Sequence, residues 1–84
     1  MAKHILIVDD DALMRRSLAF NLEQAGYHAS TADSAETALT QIHLDKPDLV
    51  LLDISLPGMD GLDAMRHLKD QFDLPVIFIT AGGL

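Results

Sequence analysis

Asp9, Asp10 and Asp11 directly follow the apolar run Ile5, Leu6, Ile7 and Val8, while Asp53 directly follows Leu49, Val50, Leu51 and Leu52. A hydroxyl, Thr80, follows a further apolar run, Val76, Ile77, Phe78 and Ile79. There is no cysteine, and no histidine closes any of these runs. Carboxylates and a hydroxyl on short side chains are hard oxygen donors. They suit Mg²⁺, which prefers octahedral oxygen coordination, keeps several waters and is often completed by a substrate phosphate. A carboxylate facing such an ion can also act as a nucleophile and form an aspartyl phosphate. The cation offsets repulsion between an anionic attacker and an anionic phosphoryl group, and a hydroxyl donor steadies the transferred oxygens. Asp53, the central acid, is the candidate nucleophile.

Asp is also a common turn residue, so each acid by itself fits a loop. Adjacent carboxylates at Asp9–Asp11 repel one another, which is tolerable when some are solvated, cap a helix or hold a cation. One of them caps the helix that follows, since Asp is a preferred N-cap. The remaining pair is unexplained by capping.

The elements that must position these groups alternate. Ile5–Val8 reads as a strand buried on both faces. A helix is predicted from about Ala12 to Ala25, with Met14, Leu18 and Leu22 in one stripe and Gly26 as its left-handed stop. Arg15 and Arg16 fall off that stripe, toward solvent or a rim. Tyr27 to Ala32 reads as a weaker edge strand. Asp33 or Ser34 then caps a helix through about His43, with Ala35, Ala38, Leu39 and Ile42 inward, and Asp33 with Glu36 has capping-box spacing. Leu49–Leu52 is the central buried strand, ended by a loop containing Pro57, Gly58 and Gly61. Asp60 caps a third helix carrying Leu62, Met65 and Leu68, extended by Phe72, and Val76–Ile79 is the last strand.

Strand, helix, strand, helix, strand, helix, strand implies right-handed crossovers and a parallel sheet with helices on both faces. Parallel strands place all their carboxyl ends on one edge, where open α/β sheets bind ligands. That topology forces Asp9, Asp10, Asp53 and Thr80 to converge, whereas unrelated turn residues need no common location.

With 84 residues the chain fits one small domain, 1–84, and its 49% hydrophobic content supplies a core. The lack of cysteine excludes a disulfide framework, a thiolate metal site and a Cys nucleophile. No charged-then-apolar leader and no apolar run of roughly 18–20 residues is present, so a cytoplasmic, membrane-free setting is expected. A net charge of −7 argues against nucleic acid, whose phosphates reward clustered Lys and Arg. No glycine-rich phosphate loop separates a strand from a helix, because Asp9–Asp11 occupies that place. His4, His28, His43 and His67 are scattered and lack ligand spacing, and read as surface or partly buried residues.

The segments ILIVDDD (Ile5–Asp11), LVLLDISLPGMDG (Leu49–Gly61) and VIFITA (Val76–Ala81) together resemble the receiver domain of two-component response regulators. The similarity extends over essentially the whole chain. It implies a flavodoxin-like α/β fold, here of about four strands and three helices in strand order 2-1-3-4. By position, Asp53 resembles the phosphoacceptor, and Asp9 and Asp10 the acidic pair that holds Mg²⁺. Ser55 would lend its backbone carbonyl to the metal. Thr80 resembles the switch hydroxyl, assisted by the Ala81 amide. The implied role is that of a phosphorelay module rather than an enzyme, with a histidine kinase as phosphodonor.

The resemblance also marks a departure. Family receivers continue with a helix, a strand ending in Lys-Pro and a final helix, so this chain reads as C-terminally truncated. Lys3, Lys46 and Lys69 are its only lysines, and none ends a strand, which implies weakened transition-state stabilisation. The absent last helix would bare one sheet face, exposing alternate residues of Leu49–Leu52 and Val76–Ile79. Burying four such side chains is worth about 6–12 kcal/mol, comparable to a domain's net stability of about 5–15 kcal/mol. An obligate homodimer covering that face and the open strand edge is therefore expected. The alternative function is a non-signalling homodimeric half-receiver or engineered fragment that serves only in assembly. A metal-dependent phosphatase ranks lower, because Ser55 stands where a second Asp would follow Asp53 by two residues.

Overall fold

Apolar runs without polar alternation can be satisfied only by strands covered on both sides, and the chain folds accordingly. The computed structural model describes residues 2–53, 66, 70 and 73–79. Within them the elements run β1 (His4–Val8), α1 (Ala12–Gln24), β2 (His28–Ala32), α2 (Ala35–Leu44), β3 (Leu49–Asp53) and β4 (Val76–Ile79). The strands form one sheet of order β2-β1-β3-β4, with every pairing parallel. This is the flavodoxin-like arrangement and strand order expected. Arg66 and Asp70 have helical backbone where a third helix was placed. Leu62, Met65, Leu68 and Phe72, which would define its inner face, lie outside the described residues.

Helix ends follow local chemistry. Asp11 is the N-cap of α1, its Oδ1 accepting from the backbone N–H of Leu13 at 2.9 Å and of Met14 at 3.3 Å. At the other end Gly26 takes φ +97°. Gly26 N–H donates to Glu23 O at 3.1 Å and Tyr27 N–H to Leu22 O at 3.0 Å, the paired bonds that close a helix through a left-handed residue. For α2 the cap is Ser34, whose Oγ accepts from Thr37 N–H at 3.1 Å and donates to Thr37 Oγ1 at 3.0 Å. Of the two candidate caps, Asp33 and Ser34, the helix uses Ser34, and the Asp33–Glu36 spacing is not used as a box. Ser34 holds the extended backbone of a cap, and its hydroxyl reaches the third helical position.

The core lies on one side of the sheet. Leu6, Val8, Val50 and Leu52 pack with Ala35, Ala38 and Ile42 of α2 and with Leu74, while Leu39, Val76 and Phe78 adjoin them. The opposite face is covered unevenly. Ile5 and Ile7 are buried there, and α1 lies over β1 and β2. On β3 and β4 the same face carries Leu49, Leu51 and Ile79, each half-buried, and Ile77, which is 51% exposed. Exposure along this face was expected, but it is only partial. The stripe Met14, Leu18 and Leu22 is likewise half-buried, and no side chain of α1 is fully buried.

Gly26 is the position where the fold demands a residue without a side chain. Space is not the reason, since nothing lies within 4 Å of where a Cβ would stand. The cost of Gly26→Ala is therefore backbone strain alone, about 1–2 kcal/mol. Urea unfolding should show a lower midpoint with an unchanged slope; an unchanged midpoint would mean the turn relaxes at no cost.

Candidate functional site

Parallel pairing of β1 with β3 sets Val8 opposite Leu52. The next residues on the two strands, Asp9 and Asp53, therefore emerge side by side at the carboxyl edge. Both are completely buried, while Asp10 is exposed. One carboxylate oxygen from each of Asp9, Asp10 and Asp53 can be chosen so that all lie within 4.8 Å of one another. The convergence inferred from topology is thus present for these acids. β3 and β4 align Asp53 with Ile79; Thr80, Ser55 and Ala81 lie outside the described residues.

The aspartates of the first run divide three tasks. Asp11 caps α1. Asp10 faces solvent. Asp9 is held inside: its backbone N–H donates to Ala32 O at 3.1 Å, and its Oδ1 accepts the Asp11 N–H at 2.9 Å. Its Oδ2 is buried with no hydrogen-bond partner. Burial raises the Asp9 carboxyl above the usual carboxylate range, and the neighbouring charges of Asp53 and Asp10 push in the same direction, against the pull of the Asp11 N–H. A buried carboxylate oxygen without a donor, beside further carboxylates, is a poor arrangement for protein alone and a good one for a hard divalent cation. The donor set fits Mg²⁺.

Arg15 was assigned to solvent or a rim by its place off the apolar stripe. It takes the rim: it is half-buried, and its Nη1 donates to the Asp9 backbone carbonyl at 2.8 Å. A guanidinium therefore stands next to the acidic edge. The signal available in the sequence is its position one turn into the helix that Asp11 caps, which returns a long side chain toward the strand end.

Comparison with known proteins agrees with this geometry. The family model for the response regulator receiver domain matches residues 5–83. The N-terminal domain of a response regulator receiver protein from Methanoculleus marisnigri JR1 superposes with a TM-score of 0.90 at 37% identity, covering 96% of this chain and 68% of that one. The PhyR response regulator REC domain of Erythrobacter litoralis gives 0.85 at 38% identity, covering 95% of this chain and 64% of that one. NtrX from Brucella abortus gives 0.86 at 41% identity, and there this chain spans 93% of itself but 18% of the larger protein. The chain belongs to the response regulator receiver domain family. It is a receiver module of two-component signalling, and among the described residues no helix is long and apolar enough to cross a membrane.

Because the Asp9 pKa is raised in the folded state, the sign of its pH linkage is fixed. Its favourable contribution is fully present below the unfolded carboxyl value of about 3.9, and it is lost as pH rises through the raised folded value. In buffer free of divalent cations, Asp9→Asn should remove that loss and raise the melting temperature at neutral pH by a few degrees, about 4–8 °C per kcal/mol recovered. Thermal melts across the acidic to neutral range check this. A variant less stable than the parent at neutral pH would contradict it.

Proposed function

We propose that Asp53 is the phosphoacceptor of this receiver. One observation carries the reading: its carboxylate lies at the carboxyl edge of a central strand, within 4.8 Å of carboxylate oxygens from both Asp9 and Asp10. In the step, an Asp53 oxygen forms a bond to phosphorus as the phosphohistidine P–N bond of a histidine kinase breaks, and the electron pair stays on the donor's imidazole. A divalent cation held by Asp9, Asp10, Asp53 and the Ser55 carbonyl would supply charge neutralisation between attacker and phosphoryl oxygens. Asp9 and Asp10 orient that charge, Arg15 fixes the Asp9 backbone, and Thr80 would donate to a transferred oxygen. Turnover of a substrate is not part of this role; the protein is the acceptor, and a cytoplasmic kinase domain is its donor.

Among the described residues no lysine closes a strand: Lys3 precedes β1, and Lys46 lies between α2 and β3. Removing one electrostatic stabiliser of this kind commonly costs about 10²–10³ in rate, so phosphorylation of these 84 residues is slow rather than absent in this reading. Incubation with a small acyl phosphate and Mg²⁺ should add one phosphoryl group to the intact mass. The gain should vanish in Asp53→Asn and on chelation of Mg²⁺, and slow in Asp10→Asn by about tenfold or more. An equal gain in Asp53→Asn would overturn the assignment.

A second reading, self-assembly, rests on the uneven sheet face. Leu49, Leu51, Ile77 and Ile79 form an apolar patch that bears no charge and sits beside β4, which pairs only with β3 among the described strands. In a protein of net charge −7, such a patch is where two copies can meet with least repulsion, by a two-fold contact of like surfaces. Light scattering of the 84-residue chain should give a dimer mass that Ile77→Asp converts to monomer. A parent that is monomeric with a cooperative melt would refute this reading.

A further inference from the structure

β2 is an outer strand of the described sheet, and its hydrogen-bonding edge is open. In a parallel ladder every second residue turns both of its backbone groups toward the partner strand. His28 N–H donates to Lys3 O, and Ala32 O accepts from Asp9 N–H, so His28, Ser30 and Ala32 face β1. Ala29 and Thr31 face outward. The Thr31 carbonyl accepts from Gln41 Nε2 at 2.9 Å, which leaves the Ala29 N–H and C=O and the Thr31 N–H directed out of the sheet. Edge strands are usually blunted by Lys, Pro or an inward-pointing charge. The five residues of β2, His-Ala-Ser-Thr-Ala, hold none of these.

The surface beside that edge has shape and charge. One side of α1, distinct from the stripe Met14, Leu18 and Leu22, forms an open groove of about 520 Å³ with Ala29 and Thr31. Small side chains at Ala12 and Ala19 leave it room, while Arg15, Arg16 and Phe20 wall it. Phe20 is 62% exposed. Arg16 is exposed too, and neither arginine makes an ion pair among the described residues. Two of the chain's six basic side chains thus stand together beside an open edge in a protein of net charge −7, with Glu23 the one acid in the groove.

The spacings of the helix wall and of a strand agree. Arg16 and Phe20 are one helical turn apart, about 6 Å along α1 at 1.5 Å per residue. Alternate side chains on one face of a strand are about 6.6 Å apart. A strand added to β2 therefore sets one side chain against Arg16 and the next on the same face against Phe20. We propose that the β2 edge and the adjoining side of α1 bind an extended acidic segment of a partner protein, which adds as a strand through Ala29 and Thr31 and turns an acidic and an apolar side chain, two positions apart, toward Arg16 and Phe20. Main-chain bonds supply the anchoring and those two side chains the selection. A second copy of this chain pairing through its own β2 fits less well, because β2 carries no carboxylate to meet the arginines.

The probe is a short peptide, blocked at both ends, in which Thr alternates with Glu, Leu and Glu. It is titrated into the ¹⁵N-labelled 84-residue protein and followed by ¹H–¹⁵N spectra and amide hydrogen exchange. Binding is expected, with shifts centred on Ala29, Thr31 and Arg16 and slower exchange of the Ala29 and Thr31 N–H groups. It should weaken by about tenfold or more in Arg16→Ala, the loss of one charge-assisted hydrogen bond; that side chain is exposed, and circular dichroism checks that the fold is kept. N-methylation of one set of alternate peptide amides should abolish binding while methylation of the other set spares it. Equal effects of the two methylated sets, a helical bound peptide, parental affinity in Arg16→Ala, or equal binding of a peptide with Lys in place of Glu would each overturn the proposal. So would no binding below millimolar peptide, or protection of Ala29 and Thr31 that rises with protein concentration in the absence of peptide, which would make a second copy the occupant.

Discussion

The parallel pairing of β1 with β3 is the constraint on which the candidate site depends. It needs no side-chain chemistry to operate: aligning Val8 with Leu52 obliges the residues that follow to leave the sheet together. Both of those residues are aspartates, and both are fully buried. The register therefore takes both carboxyls out of water and sets them side by side; burial first, and then the neighbouring charges, raise the Asp9 carboxyl. A fold seeking stability alone would place one acid there, or none. The arrangement is unfavourable for the empty protein and favourable for a protein that grips a cation and an anionic group in turn.

Around that conflict the neighbouring residues limit the cost. Asp11 turns its charge into a helix cap, Asp10 stays in water, and Arg15 reaches back to the Asp9 carbonyl. Among the described residues only Asp9 and Asp53 keep charge-bearing groups in the interior. Three consecutive residues of one type thus have three different fates, decided by the direction in which each leaves the strand and by the start of α1. The tight bond from Asp11 N–H to Asp9 Oδ1 ties the cap to the site, so the helix terminus and the acidic edge are positioned as one unit.

What the sequence revealed followed from period and termination. Continuous apolar runs marked β1, β3 and β4, Gly26 marked the end of α1, and alternation with helices gave the parallel order, so the meeting of Asp9, Asp10 and Asp53 could be inferred before any coordinates. Contacts that depend on side-chain reach were not legible. Arg15 was placed by its angle on the helix, but a guanidinium on a long stem can fold back over a strand end. Asp33 and Ser34 both stood as candidate caps of α2, because spacing cannot tell which residue of a polar pair takes the extended cap backbone; it is Ser34. His4 and His28 read as scattered along the chain. Their proximity comes from strand register, a relation between distant segments that no local pattern records.

The sheet is finished differently on its two faces, and this shapes how the domain must be held together. On the α2 side, small residues Ala35 and Ala38 let the helix pack on β1 and β2, and Ile42 joins them in the core. On the α1 side the helix rides over β2, whose inward residues Ala29 and Thr31 are small, and every apolar side chain it offers stays partly in water. Leu13 and Phe20 are 70% and 62% exposed. With so little burial to anchor it, α1 relies on its ends: the Asp11 cap, the Gly26 closure and the Arg15 bond to Asp9. The first of those ends, with the Asp11 cap and the Arg15 bond, is also what borders the acidic edge. A charge change among the aspartates therefore acts directly on the cap of a helix whose packing against β1 and β2 leaves every apolar side chain partly in water.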